Sequence, residues 1–167
     1  ESAIAIGDSE NNIFYGNIMT NCSFYFPLEP LTVRYNTISR SNKVGGKDVL
    51  FIYWDIDYEI EHEDLSSVGQ LIMVSSKGYS LSELDVEEGS QAVVLLDCDG
   101  IQLCNMTISD QTFCALIAYK CEQLTLDNCT IFDCYNGREI ARTDRITLSD
   151  LCITRCNSPL YLEFCSS

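Results

Sequence analysis

The sequence predicts an all-β protein in which short parallel strands stack into a three-faced β-solenoid with about 22 residues per turn. Similar strings, "IQLCNMTI", "LTLDNCTI" and "ITLSDLCI", begin at Ile101, Leu124 and Ile146, so they recur at intervals of 23 and 22 residues. Apolar residues alternate within each string, and an Asn or Asp stands at the same phase of every repeat. Alternation is typical of strands, and this interval is too short for a propeller blade.

Each repeat contains two short strands with a change of phase between them. Leu81, Leu103, Leu126 and Leu148 stand two residues after the first apolar position of successive repeats, of which Tyr79 opens the first. Further apolar residues stand five and seven positions after it: Leu84 and Val86, Met106 and Ile108, Cys129 and Ile131, Leu151 and Ile153. A third strand precedes each repeat, as in "AVVLLDC", "CALIAYKC" and "PLYLEFC". Three strands per repeat predict three faces.

The change of phase predicts a corner. It falls at Glu83, Asn105, Asn128 and Asp150. Asn and Asp are the non-glycine residues that best tolerate a left-handed backbone, which turns a strand sharply. We expect the amides of this ladder to stack on each other inside the coil. Asn105 and Asn128, like Asn21, lie in N-x-S/T sequons, but the register predicts a structural role for both.

Residues 1–167 are interpreted as a single domain. Residues 69–165 form its regular turns, whereas residues 40–68 lose the register and predict an irregular turn or a hairpin insertion. In the N-terminal part, corners are expected at Asn17 and Asn36. The chain opens with "ESAIAIG" and without Met, which predicts a processed protein or a fragment of a longer chain.

The stacked aliphatic strands and the ladder of Asn105, Asn128 and Asp150 resemble the right-handed parallel β-helix superfamily, typified by pectate lyases, polygalacturonases and phage tailspikes. The resemblance covers residues 69–165 and implies a right-handed parallel β-helix. Because this architecture serves many functions, it predicts a fold and not one activity.

The charge of the chain limits its partners. With 25 acidic and 10 basic residues, the formal net charge is -15. Such a surface repels phosphate backbones and anionic lipid, so we expect no nucleic-acid partner. The apolar runs are too short to span a bilayer, so we expect no membrane insertion. Polysaccharides and protein surfaces remain as expected partners.

Nine of the ten cysteines stand at or after Cys98. The chain has no CxxC pair and only one histidine, His62, which argues against a zinc site with finger or ribbon spacing. A secreted protein with disulfides and a protein with buried free thiols are both compatible with the count. Cys98/Cys121 and Cys134/Cys156 have the spacing of neighbours on adjacent turns. We expect most of the thiols to be unpaired.

One row of polar residues is a candidate catalytic site. Ser75, Asp97, Lys120 and Arg142 stand four residues before the first apolar position of each repeat. The resemblance implies that the groove beside this strand binds polysaccharide. Asp97, Lys120 and Arg142 would lie about 5 Å apart on adjacent turns. A lyase uses a cation to neutralise a uronate and a base to remove a proton. The structural alternative is a ladder of salt bridges between turns.

The strand that precedes each repeat is apolar on both faces. Its outward residues are Ile72, Val74, Val94, Leu96, Ile117 and Tyr119. A sheet with two apolar faces is buried on both. We therefore expect a cover over this face: residues 40–68, a neighbouring subunit in a homo-oligomer, or an apolar ligand.

The stretch "WDIDYEIEHED" holds candidate metal ligands. Asp55, Asp57 and Glu59 alternate along it and present hard oxygen ligands to calcium. A solvated strand edge is the alternative. Apart from this calcium, no cofactor is expected. Three aromatic residues are candidates for glycan contact, with ordinary packing as the alternative: Tyr53, Trp54 and Tyr119.

These features predict a non-catalytic surface or virion domain that binds a glycan or a protein along its long face. It would be extracellular, on a cell surface or on a virion. A pectin-type polysaccharide lyase or glycoside hydrolase is one alternative. A structural fibre segment, assembled through the apolar strand face, is the other.

Overall fold

The chain forms, in a computed structural model, stacked short strands separated by sharp corners. The structure describes residues 4–7, 9–27, 33–54 and 65–166. The first strands are β1 (Ile4–Ala5), β2 (Ile13–Phe14), β3 (Ile18–Met19), β4 (Phe24–Tyr25), β5 (Thr37–Ile38) and β6 (Lys43–Val44). They are followed by β7 (Lys47–Tyr53), β8 (Val68–Val74), β9 (Ser80–Ser82), β10 (Asp85–Val86), β11 (Gly89–Leu96), β12 (Gln102–Cys104), β13 (Thr107–Ser109), β14 (Gln111–Tyr119), β15 (Thr125–Asp127), β16 (Thr130–Phe132), β17 (Asn136–Ala141), β18 (Thr147–Ser149), β19 (Cys152–Thr154) and β20 (Tyr161–Glu163).

Two short 3₁₀ segments, Val33–Tyr35 and Leu65–Ser67, are the helical elements of these residues. In the described part of the chain, no helix has both the length and the apolar character needed to cross a membrane.

Three sheets build the solenoid, and their neighbouring strands are parallel except for β6 and β7. The long sheet has the order β20-β17-β14-β11-β8-β7-β6-β3, and the two short sheets have the orders β18-β15-β12-β9 and β10-β13-β16-β19. Leu103 pairs with Leu81 on one side and with Leu126 on the other, in the predicted register. The stack has about 6 turns of about 22 residues each, which confirms the predicted β-solenoid.

The interior of the solenoid is a continuous apolar core to which all three sheets contribute. Leu71, Leu103 and Ile108 are completely buried in it. Full burial of such a side chain contributes roughly 1.5–3 kcal/mol. Among the described residues, one charged side chain is buried: Arg138 on β17 stands in the register position of Leu116 on β14 and is 4% exposed.

The predicted corner ladder is present, but it faces outward. Glu83, Asn105, Asn128 and Asp150 all have left-handed backbones, with φ between 48° and 64°. Contrary to the expectation that their side chains lie inside the coil, all four are exposed. The left-handed residue interrupts the alternation, so the residues on either side of it can point inward while it points out. The amides of one pair still stack: Asn128 Nδ2 donates to Asn105 Oδ1 at 2.8 Å.

Most of the cysteines stand directly after corner residues. Seven of the ten directly follow a left-handed residue: Cys22, Cys98, Cys121, Cys129, Cys134, Cys156 and Cys165. Each donates its S–H to the backbone carbonyl two residues earlier, at 3.2–3.6 Å. Ser76 and Thr143 do the same with hydroxyl groups, both at 3.1 Å. All ten cysteines are free thiols in this structure.

The N-terminal segment forms a small stack, in which β3 and β6 extend the long sheet. Strands β1, β2 and β3 pair in parallel with β4, β5 and β6. A tight turn at Gly45 and Gly46, with φ of 56° and 81°, then joins β6 to β7 in antiparallel pairing. The predicted corners at Asn17 and Asn36 are wrong, because the left-handed residues here are Asn11, Gly16 and Asn21. The Asn17 side chain instead donates to Asn42 Oδ1 at 2.7 Å, and Asn36 Nδ2 donates to the carbonyl of Ser9 at 2.8 Å.

This N-terminal stack covers the apolar outer face of the long sheet. Met19, Phe24 and Phe26 belong to the cluster that packs against it. The covered residues of the long sheet are Ile72, Val74, Val94, Leu96 and Tyr119. The cover therefore comes from the chain itself, and mainly from residues before the predicted 40–68. The part of this face proposed for contact with a second subunit is occupied within the chain.

Two glutamine side chains hold the cover in place. Gln70 on β8 accepts from the N–H of Phe24 at 3.1 Å and donates to its carbonyl at 2.7 Å. Gln91 on β11 makes the same pair of bonds to Phe26, at 2.8 and 3.1 Å. Each primary amide thus acts as a strand partner for the N-terminal backbone. Because these groups are buried, each bond satisfies a donor or an acceptor that water does not reach.

Replacing Glu83 tests the corner conformation. Glu83→Asn is expected to stabilise the fold by about 0.5–1 kcal/mol, because Asn tolerates a left-handed backbone better than Glu does. Glu83→Val is expected to destabilise it by about 1 kcal/mol. Urea unfolding of the two variants checks this. Equal stabilities of the Asn and Val variants would contradict the corner assignment.

Removing one glutamine tests the clamp on the N-terminal stack. Gln70→Ala is expected to lower the free energy of unfolding by about 2–4 kcal/mol, since it leaves the buried N–H of Phe24 without a partner and leaves Ser23 Oγ as the remaining donor to the Phe24 carbonyl. Denaturant unfolding gives the loss, and faster proteolysis within residues 4–27 locates it. Gln102→Ala, at an exposed position of β12, is the control and should change stability by less than about 0.5 kcal/mol.

Candidate functional site

The carboxyl ends of the long strands carry a single row of corner residues, which we call the corner row. Its members are Trp54, Ser75, Asp97, Lys120, Arg142 and Phe164, with φ between 50° and 56°. Hydrogen bonds from the N–H of Asp97 to the carbonyl of Tyr119 and from that of Lys120 to the carbonyl of Ala141 fix the members on consecutive turns. The three predicted catalytic residues therefore stand side by side, about 4.8 Å apart per turn.

Exposed aromatic rings stand at both ends of the corner row. Trp54 is 64% exposed and Phe164 is 76% exposed. Five steps of about 4.8 Å separate them, so the row is about 24 Å long. The sequence pattern did not identify Trp54 and Phe164 as members of this row. Trp54 nevertheless stands 21 residues before Ser75, and Phe164 stands 22 residues after Arg142, as the repeat requires.

A second row runs beside the first, and its charges are mostly paired. Lys77, Asp99, Glu122, Asp144 and Ser166 are linked by successive parallel bridges. Lys77 Nζ lies 3.6 Å from Asp99 Oδ2, and Ser166 Oγ donates to Asp144 Oδ1 at 2.7 Å. Glu122 is paired with the guanidinium of Arg145. Ion pairs between turns therefore occur two residues beyond Asp97, Lys120 and Arg142, the residues for which a salt-bridge ladder was the structural alternative.

The charges of the corner row have no such partners. Asp97 accepts a hydrogen bond from Ser75 Oγ at 3.1 Å. Lys120 Nζ lies 5.4 Å, and Arg142 Cζ 5.6 Å, from the centroid of the Tyr119 ring. Within the described ranges, neither cation forms an ion pair with a carboxylate. Two neighbouring cations are thus held by the face of one aromatic ring.

The first half of the corner row borders a cleft of about 350 Å³. It is lined by Trp54, Ser75, Lys77, Asp97, Cys98, Asp99, Lys120 and Glu122. The cleft combines an aromatic surface with charges of both signs. It can therefore make both stacking contacts and hydrogen bonds to a ligand that lies across several turns.

The three aromatic candidates differ in their placement. Trp54 lines the cleft, and the Tyr53 ring supports it edge-on at a centroid distance of 6.0 Å. Tyr53 is half-buried and packs against the N-terminal cluster. Tyr119 is only 6% exposed, so it positions Lys120 and Arg142 and presents little of its ring to a ligand.

The candidate calcium ligands Asp55, Asp57 and Glu59 lie outside the described residues, and calcium there stays a prediction. In the part of the chain that the structure describes, no three His, Cys, Asp or Glu side chains are grouped to hold a metal ion.

A second cleft, of about 250 Å³, lies beside β17 and β20. Its lining consists of Asn136, Arg138, Glu139, Ser158, Tyr161 and Glu163. Burial, together with the charge of Glu163, raises the pKa of the Glu139 carboxyl. Glu163 also raises the pKa of the Tyr161 hydroxyl. Mutual repulsion between these acidic groups makes this cleft less suited to an anionic ligand than the first.

The fold and the corner row together define a class: a three-sheet β-solenoid with an exposed charged row that ends in aromatic rings. No family model, curated protein or solved structure matches this chain.

Replacing Glu139 tests the second cleft. Because the pKa of Glu139 is raised above its ordinary 4.5, the native state binds this proton more tightly than the unfolded state. Wild-type stability therefore falls as the pH rises through this window. Glu139→Gln is expected to be more stable than wild type at pH 7, and the difference should shrink below pH 4.5.

Urea unfolding at several pH values measures that difference. The exposed Glu87, replaced by Gln, is the control for loss of one negative charge. An advantage for Glu139→Gln that does not change with pH, or that equals that of Glu87→Gln, would contradict the assignment.

Proposed function

We propose that the protein is a non-catalytic binding domain that holds an extended acidic glycan along its corner row. The observation that carries this proposal is the placement of two cations, Lys120 and Arg142, on the ring of Tyr119, with no ion-pair partner in the described part of the chain. Carboxylate and sulfate groups are the natural partners of neighbouring ammonium and guanidinium groups. The resemblance to the right-handed parallel β-helix superfamily, and an extracellular, cell-surface or virion location, belong to the same proposal.

The surroundings of the two cations support a glycan in particular. The exposed indole of Trp54 offers an apolar surface for the face of a sugar ring, and the paired second row offers polar atoms beside it. The row repeats once per turn, which suits a linear polymer with regularly spaced groups. A compact ligand would contact only two or three of its members.

The strongly negative charge of the chain limits which acidic glycans can bind. With a net charge of -15, the protein as a whole repels polyanions. Among the residues that the structure describes, Lys120 and Arg142 nevertheless have no carboxylate partner. We therefore expect a ligand whose anionic groups are spaced apart, with neutral sugar rings between them, to bind better than a densely charged polymer.

Substitution of the two cations tests the proposal. Asn is the replacement of choice, because it removes the charge and still tolerates the left-handed backbone of these positions. Lys120→Asn and Arg142→Asn are each expected to weaken binding to polyuronate oligosaccharides by about tenfold. Equilibrium titration against acidic and neutral oligosaccharides of equal length provides the measurement.

The control is Arg155→Asn, which removes an exposed arginine from another left-handed corner with φ of 54°. Arg155 is paired with Asp133 and lies outside the cleft lining. It should leave the affinity unchanged. Equal affinity of wild type and the Lys120/Arg142 double variant, or equal binding of neutral and acidic oligosaccharides, would contradict the proposal.

The lyase alternative uses the same residues. It differs from the binding domain in that the bound oligosaccharide would be cleaved. The side-by-side placement of Asp97, Lys120 and Arg142 supports it. A lyase would release unsaturated products that absorb in the ultraviolet, with or without added calcium. Acidic oligosaccharides that bind but are recovered intact favour the binding domain. Product formation that is lost in Lys120→Asn would replace it with the lyase.

A further inference from the structure

We propose that Cys98 and Cys121 are a redox-active pair that closes to a disulfide between adjacent turns when the folded protein meets a hydroperoxide. Both stand just inside the corner row, next to Asp97 and Lys120. This inference concerns thiol chemistry and does not depend on the proposed ligand.

The register places the two residues directly beside each other. Leu96 pairs with Tyr119 before them, and Asp99 bridges to Glu122 after them. Neighbouring strands lie about 4.8 Å apart, which is within the range of about 4.4–6.8 Å between the Cα atoms of a disulfide. Both side chains point into the solenoid, where each thiol lies within hydrogen-bonding distance of two backbone carbonyls, at 3.4 Å for Cys98 and 3.6 Å for Cys121.

The surroundings of the two thiols give them different roles. A hydrogen bond from Cys121 lowers the pKa of the Cys98 thiol, against the opposing effects of burial and of Asp97. The same contact, together with burial, raises the pKa of Cys121 well above its ordinary value. Cys98 also lines the cleft, whereas Cys121 does not. Since the thiolate is the nucleophile, Cys98 is the attacking residue and Cys121 the resolving one.

The chemistry balances with a hydroperoxide as the oxidant. The Cys98 thiolate attacks one peroxide oxygen, the O–O bond breaks, and Cys98 becomes a sulfenic acid while the other oxygen leaves as water or an alcohol after protonation. Cys121 then attacks the sulfenic sulfur, the S–O bond breaks, and water leaves with the Cys121 proton. In total, two thiols lose two electrons and two protons, and the peroxide is reduced.

A second pair in the same chain is the natural comparison. Cys134 and Cys156 are also one turn apart and follow the left-handed residues Asp133 and Arg155. Burial raises the pKa of Cys134 to about 11, and neither residue lines the cleft of the corner row. This pair therefore has the spacing of Cys98 and Cys121 without the lowered pKa or the position beside the cleft.

The test uses the full chain, reduced and then freed of reductant. After brief treatment with hydrogen peroxide, remaining thiols are alkylated, and intact mass and peptide mapping identify the linkage. We expect the loss of two hydrogen atoms, a linked pair of peptides containing Cys98 and Cys121, and a Tm higher by roughly 5 °C or more, because the bond closes a loop of 22 residues in the unfolded chain. Reduction should reverse the shift.

Variants separate this pair from the other thiols. Cys98→Ser and Cys121→Ser should each fold, because Ser76 occupies the equivalent corner position one turn earlier, and each should abolish the Tm shift. Cys134→Ser should retain it. The proposal fails if peroxide oxidises the exposed Cys152 without linking Cys98 to Cys121, if the link forms only after unfolding, or if the Tm shift survives in Cys98→Ser.

Discussion

A left-handed residue at each corner is the constraint on which the rest of this structure depends. It turns the chain within one residue, and it costs a side-chain-bearing residue about 1–2 kcal/mol. The carbonyl at the end of each long strand accepts the N–H of the corner residue one turn earlier, as Leu96 accepts from Ser75 at 2.9 Å. The residue after the corner adds a second donor to that carbonyl from inside the coil, as Cys98, Ser76 and Thr143 do. The abundance of cysteine is therefore explained by the corners: a thiol is small, apolar and a weak donor.

The same constraint separates what the residue pattern predicts from what it does not. Asn105 and Asn128 mark their corner because their residue type favours a left-handed backbone. Lys120 and Arg142 have the same left-handed backbone conformation, but their residue types do not favour it. Their place at a corner can therefore be predicted only from the register of the repeats. The direction of the corner side chains also depends on the backbone, since alternation cannot be followed through a left-handed residue.

The N-terminal stack lay beyond prediction for a different reason. Its strands are two residues long, too short for alternation to locate the corners between them. Gln70 and Gln91 are polar residues on strands that otherwise bury both faces, and their partners Phe24 and Phe26 lie 46 and 65 residues away. No local pattern contains such a contact. The strands that are apolar on both faces did predict that the outer face is covered. Composition alone could not predict which part of the chain covers it.

The tight turn at Gly45 and Gly46 makes the two ends of the long sheet different. Every pair of neighbouring strands from β7 to β20 in the long sheet is parallel, whereas β6 joins β7 in the opposite sense. A further 22-residue unit cannot be inserted between β6 and β7 without breaking that pairing, whereas insertion between two parallel strands preserves every neighbour. The hairpin of β6 and β7 thus ends the series of parallel repeats on its N-terminal side. Duplication of a repeat can lengthen the corner row in one direction only, so the reach of this surface can change in whole turns while its N-terminal boundary stays fixed.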